Sequence, residues 1–221
     1  MKYIVIVLVV LCPLVLFSAC SDSSSPSSDD SITIQQLYPM AIGDNWTYEL
    51  TEYKTDGSIK NNRTYTISIP SSENVQGNTA FLIVPNGDSS TRQLSYYNGT
   101  TEIITTYKNG SPVVGFHVLK NVGDIYTIKD TIEPGDVVRK DFGLLRAKNV
   151  SVTTVAGTFS TYQYDRIRLV GTSNTLDTDM ITSQYYASGV GLVKQVDRYH
   201  NTTINALYQK YDFQLQEYTI K

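Results

Sequence analysis

The chain has 221 residues, with 18 basic and 21 acidic side chains and a formal net charge of −3. So mild a balance, with no basic block, excludes the electrostatic footprint of a nucleic-acid-binding protein. Cys12 and Cys20 are the only cysteines. Both fall in the N-terminal segment, which excludes a thiol enzyme, a disulfide framework or a Cys-ligated metal site in the remainder.

Lys2 precedes an apolar stretch from Tyr3 to Phe17, and Ser18-Ala19-Cys20 follows it. A positive start, an apolar segment and small residues before a cut describe a secretory signal over 1–19. The cysteine directly after Ser18-Ala19 resembles a bacterial lipobox, although Phe17 stands where leucine is usual. That resemblance implies acylation of Cys20, palmitate included, and makes Cys20 the first mature residue. Loss of Lys2 with the leader brings the net charge near −4. The apolar stretch is shorter than the ~20 residues of a spanning helix. The expected link to the membrane is therefore lipid, at about 0.8 kcal/mol per buried CH₂. Serine rather than aspartate at position 21 implies transport to the outer membrane, on its periplasmic side. Asp22, Asp29 and Asp30 offer a weaker case for export to the cell surface.

Ser21 to Ser31 has no apolar side chain to bury, so 20–31 reads as the lipidated cysteine and a Ser-rich tether, disordered by composition. Residues 32–221 then form one domain with a single core, which about 190 residues suffice to build. Ile34–Met40 reads as a helical turn ended by Pro39. Strands follow at Trp46–Tyr53, Thr64–Ile69, Phe81–Val84, Gln93–Tyr97, Glu102–Tyr107, Val113–Leu119, Asp124–Lys129 and Val137–Phe142. Further strands are expected at Val150–Val155, Tyr162–Val170, Met180–Tyr186, Leu192–Tyr199, Thr203–Gln209 and Phe213–Ile220. β-Branched and aromatic residues dominate these runs. Asn109-Gly110 is a hairpin signal, with Asp56-Gly57, Asn86-Gly87 and Asn98-Gly99 as further turns. The fold class is all-β: an antiparallel sandwich or a strongly curved half-barrel sheet of about a dozen strands with little helix.

Candidate chemistry is sparse. His117 and His200 are the only histidines, and neither has another ligand-type residue at helix spacing, so a metal site would need partners supplied by the fold; no metal and no cofactor is expected. Asn174, Asp177 and Asp179 form the best oxygen-ligand cluster, but the glycine and distal glutamate of a calcium loop are missing and a polar loop between strands is the plainer reading. Ser188-Gly-Val-Gly191 lies between strands and precedes no helix, so it does not cradle phosphate. No nucleophile elbow is present, and only the fold could pair two carboxylates for hydrolysis. The chain is therefore not expected to be an enzyme. Tyrosine is the unusual component, 17 against six phenylalanines. Adjacent pairs at Tyr96-Tyr97 and Tyr185-Tyr186 put one ring on each sheet face. The outer member of each is a candidate binding surface for glycan or protein.

Leu37-Tyr-Pro-Met-Ala-Ile-Gly-Asp-Asn-Trp-Thr-Tyr48 is similar to the Tyr-Pro-x₃-Gly-x₂-Trp-x-Tyr opening of many uncharacterised bacterial lipoproteins. Tyr185-Tyr-Ala-Ser-Gly-Val-Gly-Leu-Val-Lys194 resembles their closing Trp-Tyr-Ala-x-Gly-Val-Gly-Leu-Val-Lys element, with Tyr185 in place of the tryptophan. Val155-Ala-Gly-Thr-Phe159 resembles their Val-Pro-Ala-Gly-Thr-Phe hairpin without its proline. The resemblance implies an all-β envelope lipoprotein and supplies no catalytic residue. Physical chemistry gives these stretches structural roles. Gly43-Asp-Asn turns the chain into its first strand, Trp46 anchors the core, Gly157 takes a positive φ, and Ser188-Gly189 turns between two strands with Gly191 permitting a bulge.

The functional expectation is a membrane-anchored envelope lipoprotein acting as a binding or structural module. One alternative is a carrier of an apolar ligand in a curved-sheet cavity lined by Val, Ile and Leu. A second is a hydrolase with two fold-assembled carboxylates. Expected partners are the membrane, through acylated Cys20, and a glycan, an envelope protein or an apolar ligand.

Overall fold

The computed structural model describes residues 32–88, 93–107, 112–133, 136–172 and 174–221. Cys20, the signal, the tether and Asn109-Gly110 lie outside them. One short helix, α1 (Ile34–Leu37), precedes β1 (Asn45–Tyr53), β2 (Ile59–Ser68), β3 (Ser72–Val75), β4 (Asn78–Pro85), β5 (Gln93–Asn98), β6 (Glu102–Tyr107) and β7 (Val113–His117). Then come β8 (Ile125–Glu133), β9 (Val137–Thr154), β10 (Gly157–Thr172), β11 (Thr175–Ala187), β12 (Gly191–Asn201) and β13 (Ala206–Thr219). All pairings are antiparallel, and the strand order is β7-β6-β5-β4-β2-β1-β13-β12-β11-β10-β9-β8, with β3 paired on β4.

The result is all-β, as the alternating runs require, and a single sheet curls into a nearly closed barrel. Two sandwiched sheets are not present among the described residues. Curvature goes further than a half-barrel because bulges interrupt the register repeatedly. The extra residues are Gln216 and Lys210 in β13, Asp179 in β11 and Val193 in β12, opposite Thr47/Tyr48, Asp197/Arg198, Arg168/Leu169 and Tyr185/Tyr186. Each adds twist to its strand. The two free edges, β7 and β8, meet through side chains: the His117 and Tyr126 rings lie 5.7 Å apart.

Three segments differ from the sequence-based expectation. Val137–Phe142 and Val150–Val155 are one strand, β9. Its polar middle, Ala147-Lys148-Asn149, reads as a break, but Asn149 takes a φ of 57° and lets the strand bulge and continue. Thr203–Gln209 and Phe213–Ile220 likewise merge into β13. Finally, Asp177 and Asp179 are on β11 and not in a loop, because β10 and β11 run on to a tight hairpin at Thr172↔Thr175.

The core fills one end of the barrel. Trp46 and Tyr48 from β1 pack with Leu145, Tyr164, Tyr186, Val193 and Leu215 from the facing strands. α1 closes that end with Ile34 and Leu37, both fully buried. Its N-terminus carries a capping box, Thr33 with Gln36, and it is tied to two strand turns. The Ile34 amide donates to Thr100 O at 2.8 Å, and the Gly189 amide donates to Gln36 O at 2.7 Å. The turn at Gly43 (φ 99°) places Asp44 beneath the barrel, where its carboxylate accepts from the Ala41 amide at 2.7 Å and the Lys221 amide at 2.9 Å. The segment entering β1 and the segment leaving β13 are thus tied to one buried carboxylate.

Candidate functional site

Alternation along the strands sets the site. On β11, Met180, Thr182, Gln184 and Tyr186 share one face. Tyr186 belongs to the core, so the other three point into the barrel above it. Pairing extends each into a layer. Gln184 faces Tyr164 and Gln195, Thr182 faces Arg166 and Asp197, and Met180 faces Arg168 and Tyr199. The interior is therefore apolar at the α1 end and polar above it.

The polar part encloses a chamber of about 660 Å³, between β5, β6 and β7 on one side and β8 to β12 on the other. That lies within the ~300–1,000 Å³ of ordinary small-molecule sites. Its floor is aromatic and apolar: Tyr38, Ile103, Phe116 and Tyr186. Its walls carry three amides, Gln93, Gln184 and Gln195, and the hydroxyls of Ser95, Thr105 and Thr182. Lys129, Asp141 and Arg166 bring charge.

These groups are held in place. The Ser95 and Thr105 hydroxyls lie 3.1 Å apart, both buried. Gly115 makes room for that pair, since a methyl group there would come within 2.6 Å of Thr105 Oγ1. Gln184 Nε2 donates to Gln195 Oε1 at 2.9 Å, and Gln195 Nε2 donates to Asp197 Oδ1 at 3.1 Å. Asp141 accepts from Arg168 Nε at 3.0 Å and from Arg166 Nη2 at 3.2 Å. Burial works against its charge, but the hydrogen bonds from Arg168 and Arg166 prevail and keep its carboxyl below the ordinary aspartate value. Asp197 differs: burial raises its pKa, against the hydrogen bonds from Thr182 and Gln195. One acid is thus held ionised by two guanidiniums while the other is pushed toward its neutral form.

Each tyrosine pair splits between the two sheet faces as expected, but the outer members, Tyr96 and Tyr185, are largely covered. Tyr186 is 3% exposed and lies on the chamber floor, where burial raises its pKa well above 10. Tyr96 is 8% exposed, in a small outer cluster with Ala80 and Leu94. Tyr97 points inward, donating to Tyr38 O at 2.9 Å. Tyr185 is half-buried on the outer face. The excess of tyrosine over phenylalanine has another cause. Tyr48 Oη donates to Leu192 O at 2.9 Å, and Tyr164 Oη accepts from the Leu119 amide at 3.2 Å. Inner rings fill the core while their hydroxyls satisfy backbone groups near bulges and strand ends.

Other candidates are separate from the chamber or bound to neighbours. His117 Nδ1 meets Glu102 Oε1 at 3.0 Å and His200 Nε2 meets Asn205 Oδ1 at 3.2 Å. Asp179 lies 3.9 Å from Arg168. Among the described residues no group of three His, Cys, Asp or Glu is placed to hold a metal, and no helix is long and apolar enough to cross a membrane. The outer face carries ion pairs at mid-strand, such as Arg146 with Asp165 at 2.9 Å, unlike the apolar band of a lipid-facing barrel. The chamber residues were hidden in the sequence. Their only trace is that Thr182-x-Gln184, Gln195-x-Asp197 and Arg166-x-Arg168 continue the phase of the core residues Tyr186, Val193 and Tyr164.

No protein-family model matches the chain, and no curated protein matches it in sequence. Solved structures align with it, among them the following two. A Bacteroides fragilis protein described as exported, with a YmcC-like fold, gives a TM-score of 0.40 at 11% identity, over 83% of this chain and 98% of that one. A Parabacteroides distasonis protein described as a lipoprotein gives 0.39 at 15% identity, with the same coverage.

Proposed function

We propose that the protein is an envelope lipoprotein, acylated at Cys20, that binds a polar small molecule in the chamber of its barrel. The observation that carries the reading is the convergence of Gln93, Ser95, Thr105, Thr182, Gln184 and Gln195 on one space of about 660 Å³. Amides and hydroxyls supply both donors and acceptors, and an aromatic floor beneath them suits the mixed surface of a hydroxyl-rich or amide-rich ligand such as a saccharide or short peptide. The lining suits a ligand of mixed surface better than a purely apolar one, because the amides and hydroxyls keep spare hydrogen-bonding sites that an apolar ligand would desolvate without replacement. It also moves the proposed contact from an outer tyrosine surface to the inside of the sheet. The lipobox and the Ser-rich tether support the anchor.

Native mass spectrometry tests the reading. The protein is incubated with a small-molecule extract of its own cell envelope, beside a Thr182→Trp variant whose indole projects into the chamber between Gln184 and Arg166 and obstructs it. Adducts on the wild type that the variant lacks are expected. No adducts, or the same adducts on both, would overturn it.

A further inference from the structure

Two cations, Arg166 and Lys129, and one carboxylate, Asp141, line the chamber. Asp141 faces three cations, Arg166, Arg168 and Lys129, across the β8, β9 and β10 walls. Arg168 takes most of it, through Nε at 3.0 Å to one oxygen and Nη2 at 3.4 Å to the other, and has Asp179 at 3.9 Å as well. Arg166 keeps one contact, from Nη2 at 3.2 Å. Its Nε is enclosed and has no acceptor, and no described acceptor meets Nη1. A guanidinium carries five N–H donors, so most of this one is unused. The group is still 42% exposed, facing the chamber. Lys129 also lines the chamber and has no ion-pair partner among the described residues. Asp197, one layer over, bonds to Gln195 instead of either cation. Arg166 and the more exposed Lys129 therefore both line one partly enclosed space with donors to spare.

Enclosure matters for what they can hold. A charge on an open surface is satisfied by water and screened by salt, whereas the same charge in a partly enclosed space gains more from a partner. Guanidinium with ammonium is a familiar combination for oxyanions, the first by a planar fork and the second as a point charge. Tyr126 completes the wall beside Arg166, its hydroxyl pushed up to about 12 by burial and bonded to the His117 backbone.

We infer that the ligand of this chamber bears an oxyanion, a carboxylate or a phosphate, seated on Arg166 and Lys129. The inference rests on the chamber being a ligand site and adds the charge of its occupant. Combined with the amide and hydroxyl walls, it describes an acidic saccharide or a phosphorylated small molecule. A wholly neutral ligand would leave both cations in place of their water with nothing gained.

The test uses the intact lipoprotein in a nonionic detergent, with arginine and lysine side-chain signals followed by NMR. The probes are inorganic phosphate, acetate and the uncharged analogue acetamide, each against a sodium chloride control of equal ionic strength. Phosphate or acetate should shift the Arg166 and Lys129 signals saturably, and acetamide should not. The stronger of the two oxyanions identifies the source. Lys129→Gln should weaken that titration about fivefold or more, a typical loss for one cation of an enclosed pair. Arg168, already forked onto Asp141, should respond less than Arg166. If neither oxyanion moves Arg166 or Lys129 beyond the chloride control, the inference falls. Should envelope adducts still be lost in Thr182→Trp, the chamber stands as a site for a neutral ligand and only the charge assignment is wrong. Absence of both signals removes the site and the charge together.

Discussion

The Tyr126 ring lies across Gly143 on the neighbouring strand, so close that a methyl group on Gly143 would overlap the ring. The two face each other in the β8–β9 register. This contact is what brings the free edge of β8 to the free edge of β7: Tyr126 crosses the glycine, stacks near His117 and forms part of the chamber wall. Glycine in a strand interior costs conformational entropy, and the covering aromatic ring offsets it.

Gly143→Ala should therefore destabilise the domain by about 1–3 kcal/mol, the usual range for overpacking. Urea denaturation measures it. Tyr126→Leu introduced with Gly143→Ala should recover part of the loss, because the shorter side chain clears the methyl. A neutral Gly143→Ala would show that the ring does not lie there.

Trp46 tests the core at the α1 end. It is 5% exposed, and its Nε1 donates to Val190 O at 2.7 Å in the Ser188–Gly191 turn. Trp46→Ala should cost about 3–5 kcal/mol, the range for large aromatics removed from cores. Trp46→Phe should cost about 1–3 kcal/mol, chiefly through the carbonyl left without its donor. As the only tryptophan, it should emit at short wavelength and resist iodide quenching in the native protein. Red-shifted, quenchable emission would place it at the surface.

Asp141 and Asp197 should respond to pH with opposite signs. The folded value of Asp141 lies below that of an unfolded aspartate, near 3.9. Its stabilisation is present above that value and is lost as pH falls through the folded pKa. Asp141→Asn should cost about 1.5–3 kcal/mol at neutral pH, as for hydrogen bonds to charged groups, and progressively less in acid. Asp197 has a raised folded value. Its ionisation penalty is present above that value and is relieved as pH falls toward 3.9. Asp197→Asn should therefore be neutral or stabilising at pH 7, with the advantage fading in acid. Denaturation midpoints of the three proteins across pH check both signs, and parallel curves would refute the assignment.

The anchor has its own test. Cys20→Ala should abolish acyl labelling and leave a soluble or uncleaved precursor. Normal labelling and membrane fractionation of that variant would refute lipidation at Cys20.

What the sequence made legible follows from what repeats in it. Alternation located nearly every strand, Gly157 adopts the positive φ expected of it, and Gly43 and Gly189 turn the chain where expected. Strand ends were less legible. Asn149 and the bulged middle of β9 look like a loop because polar residues and a left-handed asparagine mark both. β3 was missed, since Ser72-Glu-Asn-Val75 has no alternating apolar face and is held by its pairing to β4. The chamber was not legible at all. Thr182 and Gln184 alternate with Ser183 and Tyr185, so period two alone cannot tell which face turns inward. Only the closing of the sheet decides that Thr182 and Gln184 look into a cavity and that Tyr185 looks out. The tyrosine excess misled for a related reason, because the backbone carbonyl that receives the Tyr48 hydroxyl belongs to a strand 144 residues away.

The account stands on the chamber being occupied by a polar ligand. A crystal structure of the protein purified from its own envelope, without refolding, tests that most directly. The account predicts ordered density that is neither protein nor water, hydrogen-bonded to Gln184, Gln195 or Thr105 above the Tyr186 ring. A chamber that is collapsed, or that holds only water in crystals of such native material, would contradict it.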